Sequence, residues 1–187
     1  MRKILFIGLA LLCSSAWSDS PPETQRVRVV TNKGAFVIAL EHERAPLTTA
    51  NFLKYVRAGH YEGTIFHRVV SGFVAQAGGF DEQFVEKPTG QDIPNESGNG
   101  LSNLRGTVGL ARAGEPHSGD AQFYINLADN PLLDPQPSRW GYAVFGRIVD
   151  GMRVIDDIGA VATGSVGPFD QDAPLKPIVI EKIEELH

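Results

Sequence analysis

Alternation of polar and apolar residues runs through much of the chain and predicts a series of short β-strands. Residues 25–31 (QRVRVVT) and 34–40 (GAFVIAL) are joined by Asn32-Lys33-Gly34, a composition typical of turns, and therefore predict a hairpin. Further β-rich segments lie at residues 64–69, 73–77, 107–111, 122–126, 142–148 and 178–183. The pattern indicates a mainly β protein.

Two segments with helical periodicity interrupt the strands. Residues 48–58 predict an amphipathic helix that ends at Gly59, because their apolar side chains fall on one helical face: Phe52, Leu53, Tyr55 and Val56. Residues 151–158 predict a second, short helix with Asp150 as its N-cap.

Two long segments, residues 90–105 and 131–139, carry neither pattern and are predicted to be loops. Long loops inside a domain are usually functional or mobile, and the sequence does not decide between these alternatives for residues 87–103. Many short strands with two helices indicate a closed or nearly closed antiparallel barrel, because an open sheet would expose unpaired strand edges.

The first 18 residues have the layout of a secretory signal peptide. Arg2 and Lys3 precede an apolar run at residues 4–13, which is too short to span a bilayer, and small residues follow up to a plausible cleavage site before Asp19. The alternative is a lipoprotein anchored through Cys13, although the leucine before it is larger than such anchoring usually tolerates. We predict cleavage and export.

Removal of this leader leaves about 169 residues, enough for one domain with its own core. We assign residues 19–24 to a linker and residues 25–187 to this domain. Without the two cations of the leader the net charge falls from −5 to −7, and an acidic surface without basic runs argues against nucleic acid or an anionic membrane as a partner. The single cysteine leaves with the leader, so the domain needs no disulfide.

The chain has none of the common motifs for metal, cofactor or nucleophilic catalysis. Its five histidines are scattered without metal-ligand spacing, and neither G-x-S-x-G nor G-x-x-x-x-G-K-[ST] occurs. We therefore expect no metal and no cofactor. The functions that remain are the binding of a ligand and the catalysis of a reaction that breaks no covalent bond.

One apolar, glycine-punctuated stretch carries polar residues for which a purely buried strand would have no use. Within YEGTIFHRVVSGFVAQAGG (residues 61–79) these are Arg68 and Gln76. If the side chains of Phe66 and Arg68 point to the same face of a strand, that face presents an aromatic ring and a guanidinium. His67 then points to the opposite face, and we assign it a structural role.

The run FHRVVSGFVAQAG (residues 66–78) resembles the signature of the cyclophilin family of peptidyl-prolyl cis/trans isomerases. Further matches follow in the family's order: GLARA (109–113), SGDAQFYI (118–125), LLD (132–134) and GYAVFGRIVDGMRVID (141–156). The similarity extends over roughly residues 26–183 and, with the leader, is strongest to the bacterial periplasmic branch. It implies a closed eight-stranded antiparallel β-barrel capped by two α-helices, with the site on the outer face, and a periplasmic enzyme that accelerates X-Pro bond rotation in exported proteins.

The resemblance also implies a set of site residues. Arg68 matches the catalytic arginine, a fixed donor that would stabilise the twisted prolyl amide, in which the nitrogen has become a hydrogen-bond acceptor. Ten further residues match positions that bind the substrate: Phe73, Val74, Gln76, Ala111, Arg112, Ala113, Gln122, Tyr124, Leu133 and Tyr142.

Several positions depart from the family's pattern. Arg112 replaces a common asparagine, and we expect its side chain to be solvated and to matter little. Tyr124 stands where phenylalanine is usual, and core packing and pocket lining are equally open for it. Tyr142 stands where many members have a histidine. Leu132 aligns with a tryptophan that in many members helps to bind cyclosporin, so we expect weak cyclosporin binding with isomerase activity retained.

Two functions from different classes fit these residues. The first is a prolyl isomerase that assists the folding of exported proteins, and the second is a module that binds proline-containing peptides without useful turnover. The combination of Arg68, Phe73 and Gln76 favours the enzyme. We expect proline-containing polypeptides as partners and a monomeric protein.

Overall fold

The computed structural model describes residues 24–186, so the predicted leader and most of the predicted linker lie outside the described residues. The elements in chain order are β1 (Arg26–Thr31), β2 (Gly34–Leu40), α1 (Pro46–Arg57), β3 (Thr64–Val70), β4 (Val74–Asp81), β5 (Thr107–Arg112), β6 (Gly119–Asn126), β7 (Val144–Asp150), α2 (Met152–Gly159), β8 (Thr163–Val166), β9 (Phe169–Pro174) and β10 (Val179–Leu186). A short 3-10 turn, Pro131–Leu133, lies in the loop before β7.

Eight strands close into an antiparallel barrel in the order β1-β10-β3-β4-β6-β5-β7-β2. Each of these strands pairs with a neighbour on both sides, which removes the exposed edges of an open sheet. The predicted closed barrel is confirmed, and β1 and β2 form the predicted hairpin, with Thr31 paired to Gly34 at the turn.

The strands β8 and β9 form a separate two-stranded sheet that the sequence pattern did not predict. They contain four and six residues, and most of these are exposed or half-buried. Neither strand therefore shows the regular alternation by which a half-buried core strand is recognised.

The barrel core is built from apolar side chains of the strands and of both helices. The ring of Phe52 from α1 meets Phe123 edge-on at 5.6 Å and lies 5.2 Å from Phe145. Ile155 and Ile158 of α2 are fully buried in the same cluster. Burial of each such side chain contributes about 1.5–3 kcal/mol, so the core holds the predicted pair of helices on the barrel.

The first helix begins at Pro46, two residues before its predicted start. Proline suits the first turn because it lacks the backbone donor that would be unsatisfied there. The next two backbone N–H groups donate hydrogen bonds to the carboxylate of Glu96, Leu47 N at 3.1 Å and Thr48 N at 2.8 Å. The loop at residues 90–105 thus supplies the cap of α1 from 48 residues away.

The predicted cap of the second helix is wrong. Gly151, and not Asp150, occupies the N-cap position, with a left-handed φ of 78° that glycine adopts without steric cost. The Asp150 carboxylate instead accepts a hydrogen bond from Gly151 N at 2.8 Å.

Candidate active site

The β3–β4 hairpin places Arg68 and Gln76 opposite each other as paired residues of neighbouring strands. Gly72 in the connecting turn has a φ of 68°, a conformation open to glycine but unfavourable for most residues. The pairing shifts register between Phe66 and Arg68, an irregularity of the kind that redirects side chains beside functional sites. The hairpin therefore brings a guanidinium and a carboxamide to one patch.

Strand alternation explains why this patch lies on the outer face of the barrel. On β4, Ala75 and Ala77 point into the barrel core, whereas Val74 belongs to a separate apolar cluster. On β6, Phe123 is fully buried in the core, whereas Tyr124 belongs to that second cluster. Successive side chains of a strand point to opposite faces, so the two clusters lie on either side of the barrel wall.

A cavity of about 250 Å³ opens over this second cluster. Its base combines buried Val74, Ala111 and Tyr124 with partly buried Phe73, Leu133 and Tyr142 packed against them. Nine of the eleven predicted site residues line the cavity: Arg68, Phe73, Val74, Gln76, Ala111, Arg112, Tyr124, Leu133 and Tyr142. The cavity thus has an apolar base, with two guanidinium groups and one carboxamide among its lining residues.

The other two predicted residues, Ala113 and Gln122, line an adjoining cavity of about 290 Å³. The two cavities share Gln76, Ala111 and Arg112. Gln76 Nε2 donates a hydrogen bond to Gln122 Oε1 at 3.0 Å, so the two glutamines join the cavities. All eleven predicted residues therefore line two adjoining cavities.

Tyr124 both packs in the wall and lines the cavity, which answers the question that its sequence position left open. Only 4% of the residue is exposed, and its hydroxyl donates a hydrogen bond to Asn103 Oδ1 at 2.6 Å. Burial raises the pKa of Tyr124, so the phenol stays protonated. The ring has room because the neighbouring residue is Gly109, where a Cβ atom would overlap the phenol.

The side chain of Arg112 makes structural contacts that the expectation of a solvated group did not include. Its Nη2 donates to Trp140 O at 3.1 Å and its Nη1 to Ala113 O at 3.0 Å. The guanidinium carbon also lies 4.4 Å from the ring centroid of Tyr142, a cation–π distance. Arg112 therefore ties the end of β5 to the segment before β7 and supports one wall of the cavity.

Phe66 and Arg68 do not share a face: Phe66 belongs to the barrel core, whereas Arg68 lines the outer cavity, and β3 shifts register between them. His67 does not line the cavity. Its ring is 4.8 Å from that of Phe80 and stacks on Phe169 at 5.6 Å, and the residue is 5% exposed. Burial, the largest cause, lowers the pKa of His67 from 6.5 to about 4. The histidine is thus neutral at pH 7 and does not reach the cavity.

Sequence reasoning missed two residues that contact the site. Asn103 belongs to the loop at residues 90–105 and holds the Tyr124 hydroxyl. Asp172 on β9 places a carboxylate oxygen 3.9 Å from Arg68 Nε. Asn103 stood in a polar segment and Asp172 in an unassigned one, so no pattern in the sequence marked either residue.

Comparison with known proteins identifies the family of the chain that carries this site. Residues 26–185, from the first barrel strand to the last, match the family described as "Cyclophilin type peptidyl-prolyl cis-trans isomerase/CLD". The chain belongs to the cyclophilin family. The predicted family, its barrel and its peptidyl-prolyl cis-trans isomerase activity are therefore confirmed.

The cyclophilin is similar to bacterial relatives over nearly its whole length. It is 44% identical over 182 residues to peptidyl-prolyl cis-trans isomerase A of Dickeya dadantii (strain 3937), covering 96% of this chain and 95% of that protein. It is 47% identical over 156 residues to peptidyl-prolyl cis-trans isomerase B of Escherichia coli (strain K12), covering 82% and 94%.

Solved structures show the same architecture. A crystal structure of a cyclophilin type peptidyl-prolyl cis-trans isomerase from Cryptosporidium parvum matches with a TM-score of 0.72 and 25% identity, covering 88% of this chain and 98% of that one. A second crystal structure of that protein, in the presence of the dipeptide Ala-Pro, matches with the same TM-score. Proline-containing peptides are ligands of the cyclophilin family.

Two further observations concern the described residues 24–186 of this cyclophilin. Neither helix there is long and apolar enough to cross a membrane. No group of three histidine, cysteine, aspartate or glutamate side chains in that range is arranged to hold a metal ion.

Proposed function

We propose that this cyclophilin accelerates X-Pro rotation through Arg68, which donates a hydrogen bond to the prolyl nitrogen of the twisted amide. Resonance makes the C–N bond partly double, and its rotation barrier is about 18–20 kcal/mol. In the twisted state the nitrogen loses its conjugation and gains a lone pair that can accept a hydrogen bond. A donor aimed at that lone pair stabilises the transition state without stabilising the planar ground state.

The observation that carries this proposal is the different engagement of the two arginines that line the cavity. The guanidinium of Arg112 is committed to backbone carbonyls and to the ring of Tyr142. The side chain of Arg68 is 42% exposed, and its contact with Asp172, at 3.9 Å, involves Nε. Its terminal nitrogens are therefore the cationic donors best placed to meet a substrate seated on Phe73 and Val74.

The cavity supports the remaining part of the proposal, the binding of the proline ring. The apolar part of this cavity of about 250 Å³, bordered by Phe73, Val74 and Leu133, suits a ring without polar groups. Gln76 stands opposite Arg68 in the hairpin, where its carboxamide can meet the peptide backbone on either side of the ring. The pocket would hold the proline still while the acyl group before it rotates.

A cis/trans exchange assay on an X-Pro peptide tests the role of Arg68. Loss of one preorganised donor commonly lowers kcat by about 10²- to 10³-fold, so we expect a reduction of this size in Arg68→Ala. Arg147→Ala is the control, because Arg147 pairs with Glu41 and does not line the cavity.

Peptide binding by the same variants distinguishes a loss of catalysis from a loss of peptide binding. We expect Arg68→Ala to bind the peptide with an affinity within a few fold of the wild type, since the apolar recess is intact. If Arg68→Ala turned over as fast as the wild type while both bound peptide, the proposed role of Arg68 would be wrong.

We further propose that the protein acts in the periplasm on exported proteins. The support is the sequence of residues 1–18, a positive start followed by an apolar run and small residues. Mass spectrometry of the protein from fractionated cells should find a mature chain that begins at Asp19 in the periplasmic fraction. A full-length chain in the cytoplasmic fraction would refute this assignment.

We also propose that the protein is a monomer that binds cyclosporin weakly. Leu132 is 77% exposed in the 3-10 turn, and it stands where many cyclophilins have a tryptophan. Leu132→Trp should therefore strengthen inhibition by cyclosporin while leaving isomerisation close to wild type. Inhibition of the wild type by nanomolar cyclosporin would contradict the weak binding, and a dimer mass in light scattering would contradict the monomeric state.

A further inference from the structure

The β8–β9 hairpin packs against the hairpin that carries Arg68. Phe169 at the start of β9 stacks on His67, the immediate neighbour of Arg68, with an interplanar angle of 29° at 5.6 Å. The same ring meets Phe80 of β4 edge-on at 5.1 Å and Phe84 at 6.0 Å. These aromatic contacts anchor β9 to β3 and β4.

Three residues beyond this anchor, the backbone takes an unusual conformation at Asp172. Its φ is 62°, a left-handed value that is uncommon for residues other than glycine, although aspartate tolerates it better than most. Such conformations cost free energy, persist only where the surrounding structure holds them, and are concentrated at functional sites.

The carboxylate of Asp172 approaches the guanidinium of Arg68 from the side of Nε. The distance from Oδ2 to Nε is 3.9 Å, and the side chains of Arg68 and Asp172 are 42% and 28% exposed. The guanidinium is planar, and its donors form a rigid fork, so a contact at Nε orients the whole group. It also leaves the two terminal nitrogens available to the cavity.

We propose that Asp172 is a positioning residue that orients the guanidinium of Arg68 towards the prolyl nitrogen. The proposal rests on the proposed function of Arg68 and adds a residue from outside the cavity. The aromatic anchor holds β9 and the left-handed turn presents the carboxylate. An arginine side chain has four rotatable bonds, and a partner at Nε keeps it closer to the geometry that the reaction needs.

Asp172→Gly separates this role from a structural one. Glycine adopts a φ of 62° readily, so we expect the melting temperature to stay within about 2 °C of the wild type or to rise. The carboxylate is lost, and kcat for an X-Pro peptide should fall roughly 2- to 5-fold, the range expected when a partly exposed ion pair is removed. The affinity for the peptide should be unchanged, because Asp172 does not line the cavity.

Two more variants complete the series. Asp172→Asn keeps the size of the side chain and its tolerance of the left-handed region, and should lower kcat as well because the charge is gone. Asp170→Asn, an exposed aspartate on the same strand, is the control and should retain full activity. Added salt should lower the wild-type kcat towards that of Asp172→Asn, since a pair this exposed is screened.

The decisive measurement is a double-mutant cycle with Arg68→Ala. If Asp172 acts through Arg68, Asp172→Gly causes no further loss of kcat in the Arg68→Ala background. A full kcat in Asp172→Gly, or the same loss with and without Arg68, would overturn the proposal. Should Asp172→Gly fail to fold, the same cycle with Asp172→Asn decides.

The outcome for Arg68→Ala alone keeps the two proposals distinct. Wild-type turnover by Arg68→Ala would refute both the role of Arg68 and that of Asp172. Impaired turnover by Arg68→Ala with normal turnover by Asp172→Gly would refute the role of Asp172 only.

Discussion

Protonation of His67 is expected to destabilise the fold without any direct effect on the active site. The ring is buried among Phe80 and Phe169, and this burial lowers the pKa of His67 from 6.5 to about 4. Between these two pH values the unfolded chain binds a proton at His67 and the folded protein does not. Stability is therefore lost as the pH falls from 6.5 towards 4.

The magnitude follows from the pKa difference of about 2.5 between the unfolded and folded chain. Each unit corresponds to about 1.4 kcal/mol, so the full loss of unfolding free energy is about 3.5 kcal/mol. At pH 5 the unfolded histidine is almost fully protonated and the folded one mostly neutral, which gives a loss of about 2 kcal/mol. This is a large fraction of the 5–15 kcal/mol typical of a domain.

Urea unfolding of the wild type and of His67→Phe at pH 7.5 and pH 5 measures this effect. Phenylalanine suits an aromatic cluster and does not titrate. The difference in unfolding free energy between the two proteins should change by about 2 kcal/mol between these pH values, to the disadvantage of the wild type. Burial also lowers the pKa of His60, but His60 is present in both proteins and its contribution cancels.

Two results would refute this reasoning. The first is the same pH dependence of stability in both proteins. The second is an NMR titration in which His67 of the folded protein gains its proton near pH 6.5. The variant also tests the assignment of His67 to the scaffold, because a folded His67→Phe protein should isomerise X-Pro peptides at the wild-type rate at pH 7.5.

Three other substitutions have defined consequences. Gly109→Ala should displace the phenol of Tyr124 into the cavity, lowering stability by about 1–3 kcal/mol in urea unfolding and weakening peptide binding measured by calorimetry. Arg112→Ala removes the carbonyl contacts and the cation–π contact with Tyr142, so kcat/KM in the exchange assay should fall by roughly 3- to 10-fold, with Arg112→Lys intermediate. Glu96→Ala removes the cap of α1 and should lower the urea midpoint by the equivalent of about 1 kcal/mol, with kcat unchanged. Unaltered stability in Gly109→Ala or Glu96→Ala, or unaltered kcat/KM in Arg112→Ala, would contradict the corresponding contact.

Much of the barrel could be predicted from the chain because strand alternation is a local property. On β4, residues 74–77 already show in sequence which side chains face the core and which face the cavity, and the structure separates Val74 from Ala75 accordingly. The resemblance to cyclophilins added the closure of the barrel and the identity of the site residues. The eleven residues named from it line two adjoining cavities.

What could not be predicted depends on partners that are distant in the chain. The cap of α1 comes from Glu96, which lies 48 residues after Thr48, the residue from whose backbone N–H it accepts a hydrogen bond. The guanidinium of Arg112 donates to the backbone carbonyl of Trp140, 28 residues away, a contact that no local pattern in the sequence indicates. Asp172 stands beside Arg68 because the β8–β9 hairpin packs on β3.

The sequence by itself determined the family, the strands and helices of the barrel, and the outward direction of Val74 and Gln76. The outward direction of Arg68 depends on the register shift of β3 between Phe66 and Arg68, which the sequence did not show. Only the tertiary structure decided which charged groups act together, with Arg68 facing the cavity beside Asp172 and Arg112 held by a neighbouring loop. The direction of a strand side chain follows from a period of two residues along the backbone. The partner of a long, flexible side chain depends instead on which loops and hairpins the closed barrel brings within reach of it.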